Sequence, residues 1–210
     1  MMQPGMRKMQ LLPHTFRPLV NSLIVTTSQD PMTRGLDYLY GLRSLAIDPE
    51  MIDVMHDPVR RVPVATWIGE NIDRINAELQ TLVQACDDCC HETSRPPIQI
   101  WAAPLADAYN ICGLCNLQTQ PITLLVDLGR VAPADWLALV VHEYAHAQAG
   151  SPGHHQDFAE ALVHLCRGLS LPLPAIKPGA EDQLRLYPAC QIVSDSWSWW
   201  QGQNFKANNC

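Results

Sequence analysis

His142, Glu143 and His146 stand in the apolar run Trp136-Leu137-Ala138-Leu139-Val140-Val141-His142-Glu143-Tyr144-Ala145-His146-Ala147. On a helix, residues four apart share a face, so the two imidazoles can bind one ion while Glu143, one step round, reaches a water on it. Imidazole donors with one open position suit Zn2+, and the chemistry such a set performs is hydrolysis by activated water. The bland alternative is a core helix whose histidines are merely hydrogen-bonded. Burying two imidazoles and a carboxyl against Leu139, Val140 and Val141 without an ion would leave unpaired polar groups costing about 1–3 kcal/mol each. That cost favours the metal.

A catalytic zinc takes three protein ligands, so a third donor has to come from outside the helix. The turn Ser151-Pro152-Gly153 is followed by His154, His155, Gln156, Asp157 and Phe158. Phe158, Ala161, Leu162, Leu165 and Leu169 then recur at helical spacing, so a second helix packs back on the first. His154 lies four before Phe158 on the inward stripe, and Gly153 permits close backbone approach. It is the first candidate for third ligand; His155 and the carboxylate of Asp157 remain alternatives. His164 is read as an ordinary helix histidine, and His56 as a surface one.

The pattern His142-Glu143-x-x-His146, a short turn, then Gly153-His154-x-x-x-Phe158 resembles the SprT-like family of zinc metallopeptidases. Upstream, Ala108-Tyr109-Asn110-Ile111-Cys112-Gly113 and Ile122-Thr123-Leu124-Leu125-Val126-Asp127 are similar to the hairpin and edge strand before the active-site helix of that family and of minimal zincins. The resemblance covers residues 66–171, about half the chain. It implies a zincin-like core with His142, His146 and His154 as zinc ligands and Glu143 as catalytic base. A protein or peptide substrate would pair with the edge strand at 122–126. The chain departs from the family pattern at His155, where a small residue is common, and it has no paired-cysteine zinc ribbon after the core.

The elements that must position these residues are legible in outline. Asp30-Pro31 reads as a helix start, and Leu36, Leu39, Tyr40, Leu42 and Leu45 continue it over 31–45. A second short helix is expected over 49–56. Trp67, Ile68, Ile72, Ile75, Leu79, Leu82 and Val83 mark a long amphipathic helix ending near Cys90. Arg95-Pro96-Pro97 breaks the chain before a strand at 98–102. The motif helix spans about 133–149, with Pro133 in its first turn and Gly150 ending it. Residues 183–186 suggest a strand or extended arm. The order implies an α+β fold in which an active-site helix and packing helices cover a small mixed β-sheet. The domain reading is an N-terminal Pro-punctuated extension (1–65), a catalytic core (66–171) and a C-terminal extension (172–210). In the last, Trp197, Trp199 and Trp200 are expected to cap the core.

The 210 residues carry 47% hydrophobic content and a net charge of −7, with a pI near 5.5. One domain with a sizeable core fits that length. The acidic balance argues against nucleic-acid binding, including the DNA association known in some SprT-like proteases. No apolar run is long enough to span a membrane. Residues 1–27 lack a leader's uninterrupted apolar stretch, so a cytoplasmic protein is expected. There are eight cysteines, which read as thiols or metal ligands. Cys86, Cys89, Cys112 and Cys115 form two Cys-x-x-Cys pairs that could hold a second zinc. The strand between the pairs favours separate packing instead.

The sequence therefore points to a zinc metallopeptidase with Glu143 as general base. Two alternatives stand beside it: a non-catalytic zinc-stabilised interaction module closed by a fourth ligand, and a zinc hydrolase of a non-peptide amide or ester. Tyr109 is the one candidate for stabilising the oxyanion.

Overall fold

In the computed structural model, residues 28–174 and 181–203 are described; the N-terminal stretch read for a leader, and Cys210, lie outside them. Helix α1, Pro31–Leu45, starts on Asp30, whose carboxylate accepts from the Thr33 amide. It buries Tyr38, Leu39, Leu42 and Leu45. Helix α2, Arg61–Asp88, runs 28 residues and buries Val64, Ile68, Ile72, Ile75, Leu79, Val83 and Cys86. These are the three- and four-residue steps that place a continuous apolar stripe on one face. The two helices cross almost backbone to backbone. A Cβ on Gly35 would fall on the Ala65 carbonyl, and one on Gly69 on the Pro31 carbonyl. Between the helices, 49–56 forms two single 3-10 turns, Pro49–Met51 and Val54–His56, rather than the expected helix. Asp53 and the residues around it break the periodicity there.

Three strands follow: β1, Ile98–Ala102; β2, Gly113–Asn116; and β3, Ile122–Val126. Their order is β1-β3-β2, with β1 parallel and β2 antiparallel to β3. This overturns the reading of 122–126 as the edge strand. Leu124, Leu125 and Val126 are fully buried, which is what a central strand paired on both sides demands, and β2 takes the edge. The hairpin likewise lies later than expected. Residues Asp107–Tyr109 form a 3-10 turn, and the paired arms are β2 and β3.

Helix α3, Trp136–Ala149, follows a 3-10 turn at Pro133–Asp135 and ends at Gly150 in the left-handed region (φ 63°). Helix α4, Gln156–Gly168, buries Phe158, Ala161, Leu162 and Leu165 against it. Helix α3 lies on β2 and β3, and α2 on β1 and α3. The mixture of helices with a small mixed sheet matches the α+β expectation.

Residues 181–203 return over this core. Helix α5 is a single turn, Glu181–Leu184, where a strand or arm was expected. Helix α6, Ser196–Trp200, packs Trp199 and Trp200 onto Trp67, and Trp199 onto Trp136, with ring centroids 4.7–6.0 Å apart. Trp200 is fully buried, so the tryptophans cap the core as expected. Both flanks of 66–171 thus contribute to one hydrophobic core. Among the described residues, no helix is long and apolar enough to cross a membrane.

Candidate metal centre

Helix α3 brings His142 and His146 to one face, and the turn after Gly150 returns His154 to them. One ring nitrogen from each lies within 4.8 Å of the others. The Nε2 atoms of His142 and His154 are 3.2 Å apart. Two nitrogens bound tetrahedrally to one zinc at about 2.0–2.1 Å would be separated by roughly 3.3 Å. The outer nitrogens explain the inward aim. Nδ1 of His142 donates to the Tyr187 carbonyl at 2.7 Å, and Nδ1 of His146 to the Ser151 carbonyl at 3.0 Å. A carbonyl can only accept, so each Nδ1 carries the hydrogen and each Nε2 keeps a lone pair for the centre.

Electrostatics agree. Burial, the largest influence, holds His142 down to about 4, and burial also lowers His146. Both rings are neutral at pH 7, the form that ligates. The side chain of Phe158 forms the floor. It is fully buried, and its ring centroid lies 5.1, 4.4 and 4.7 Å from those of His142, His146 and His154. The donor set, three imidazoles converging over an apolar floor with the lone pairs of His142 and His146 turned inward, suits a metal ion.

Glu143 is 5% exposed, and burial alone pushes its carboxyl up to about 8. The edge strand β2 presses on it: a Cβ on Gly113 would sit 2.6 Å from Oε1 and 3.0 Å from Cγ and Cδ. Only glycine lets the backbone approach this closely. Cys112 and Cys115 flank that glycine. Burial raises both thiols, Cys115 to about 12, with the Glu143 charge adding to the rise. They remain protonated and are poor ligands and nucleophiles.

The remaining predicted residues separate cleanly. His155 and Asp157 are exposed and stand outside the histidine cluster; the His155 ring lies against Gly153. Tyr109 donates its hydroxyl to Asp48. Cys86, Cys89, Cys112 and Cys115 do not converge: among the described residues, the histidine trio is the only group of three or more ligating side chains close enough to hold an ion. Cys86 packs in the core, and burial raises its thiol. His164 bonds the Cys89 carbonyl as an ordinary helix histidine. Sequence reasoning missed Gly113 and the carbonyls of Ser151 and Tyr187. Gly113 was visible only as part of a supposed hairpin, and backbone acceptors leave no mark in side-chain identity.

Compared with known proteins, the chain matches no family model, no curated protein and no solved structure.

Proposed function

We propose that the protein is a zinc-dependent peptidase of zincin type, a SprT-like core carrying its own C-terminal segment. The observation that carries this reading is Glu143: a buried carboxyl without a hydrogen bond among the described residues, adjacent in the chain to one of three converging histidines. A purely structural zinc site has no use for such a base, and it closes with a fourth ligand. Here His155 stands outside the cluster.

Zinc in this site would supply Lewis acidity and lower the pKa of water toward about 7. His142, His146 and His154 hold it, and the Tyr187 and Ser151 carbonyls fix the orientation of the first two. Glu143 takes the proton of the attacking water and delivers it to the leaving amine nitrogen. An extended peptide adds to the outer edge of β2, in place of the strand first expected, and main-chain pairing there lays the scissile bond beside Glu143.

The test is zinc content and cleavage of an unfolded protein, measured on wild type and Glu143→Gln. One bound zinc in both, with hydrolysis only in wild type, is the expected outcome. Equal cleavage by the two proteins would sink the mechanism.

A further inference from the structure

The segment that orients His142 is tied to helix α3 at two points. At one, Nδ1 of His142 donates to the Tyr187 carbonyl at 2.7 Å. At the other, the Gln191 amide donates to Asp135 Oδ2 at 2.8 Å. Asp135 immediately precedes α3 and stands seven residues before His142, a rise of about 10.5 Å along a helix. The four steps from Tyr187 to Gln191 reach at most about 13–14 Å when fully extended. The segment therefore runs antiparallel to the helix with little slack between its ties.

Anchoring continues beyond Gln191. Its carbonyl accepts from the Ala132 amide at 2.9 Å, and the Val193 amide donates to the Arg130 carbonyl at 2.8 Å. Ile192 bridges to Val131, and Trp199 packs on Trp136, the first residue of α3. Pro188, between the two ties, is buried.

The outer hydrogen bonds of the two helix histidines thus differ in origin. His146 is held by Ser151, five residues on, in the turn that ends its own helix, and His142 by a carbonyl 45 residues away. An imidazole without an outer acceptor divides its proton between two nitrogens and turns about its side-chain bonds. A fixed carbonyl selects the tautomer and the orientation in advance, which raises affinity for the ion.

We infer that residues 187–193 form a strap that sets the metal affinity of the site, and that Asp135 is a positioning residue acting on His142 through Gln191 and the Tyr187 carbonyl. The inference rests on the metal-site part of the peptidase reading. The coupling is reciprocal: an occupied site holds the strap down, and a freed strap lowers occupancy.

The experiment measures the zinc dissociation constant of the full chain by competition with a chromophoric chelator. Asp135→Ala is expected to weaken binding by about 10–100-fold, the usual worth of a group that orients a metal-bound histidine. Asp135→Asn keeps an acceptor oxygen for the Gln191 amide and retains most of the affinity, which separates the tie from the charge. Two glycines inserted between Ala189 and Cys190 introduce slack and weaken zinc as Asp135→Ala does; the insertion serves if that variant does not fold. Asp135→Ala added to the insertion costs little more, because the connection is already broken. Tyr38→Phe, which removes a buried hydrogen bond to the Ala102 carbonyl, lowers stability and leaves zinc affinity unchanged. Hydrogen exchange gives the reciprocal measure: added zinc slows the Gln191 and Val193 amides of wild type. Unchanged affinity in a folded Asp135→Ala or insertion variant, fully additive losses, equal losses in Asp135→Asn and Asp135→Ala, weakened zinc in Tyr38→Phe, or exchange indifferent to zinc overturns the strap and leaves the metal centre and peptidase standing. Wild type that binds no zinc overturns the metal centre, and the peptidase reading and the strap with it.

Discussion

Among the described residues two carboxylate side chains are buried, Asp127 and Glu143, and they are treated in opposite ways. Asp127, at the end of β3, accepts from the Leu105 and Gly129 amides, Arg130 Nε and Trp200 Nε1, at 2.7–3.0 Å. Glu143 has no such partner among the described residues, and β2 keeps even a methyl group away from it. Burial raises both, Asp127 to about 6 against its four donors and Glu143 to about 8 against nothing. A buried charge whose every lone pair is engaged fastens elements together; here the Asp127 cluster ties β3, the 105–107 turn and α6. A buried acid without such partners contributes nothing to that fastening; the peptidase proposal gives it a place as the general base.

The contrast is breakable by substitution. The largest effect is expected at Glu143: Glu143→Gln lowers kcat/KM by about 10²–10⁴-fold, the usual worth of a general base, while the melting temperature holds or rises. Asp127→Ala does the reverse. It strands four buried donors, and chemical denaturation is expected to show a loss of about 3–5 kcal/mol. A variant of Asp127 as stable as wild type would erase the distinction between the two sites. Trp200→Phe removes one donor to the same carboxylate and keeps the packing, so about 1.5–3 kcal/mol of stability is lost in the same assay.

The smallest effect is a pH dependence. The folded pKa of Asp127 lies above the roughly 3.9 of an unfolded aspartate, so the folded state binds its proton more tightly. Wild type therefore loses stability relative to Asp127→Asn as pH rises from about 4 to about 6, and the difference is flat above that. A difference growing in the opposite direction over this window would mean that the four donors outweigh burial.

What could be read from the chain follows the range of the interactions. His142, Glu143 and His146 were legible because helical spacing is local, and His154 because a Ser-Pro-Gly turn returns the chain within eight residues of His146. Helices α1 to α4 announced themselves by apolar period and by punctuation at Asp30-Pro31 and Gly150. Strand order did not, since β2 and β3 carry similar short apolar patterns and only tertiary pairing decides which is central. Asp127 looked like the end of a strand; its four donors come from positions 2 to 73 residues away. The helical turn at Glu181–Leu184 is too short for its own periodicity to distinguish it from an extended arm.

The hydrogen bond from His142 to the Tyr187 carbonyl also sets an order of events during synthesis. A nascent chain that has reached residue 170 already contains all three histidines and Glu143, yet the acceptor that orients His142 has not been made. The ring of His142 takes the orientation described above only once the segment that carries Tyr187 lies against α3. The three-histidine cluster is thus complete in its outer hydrogen bonds only when the C-terminal segment has been made.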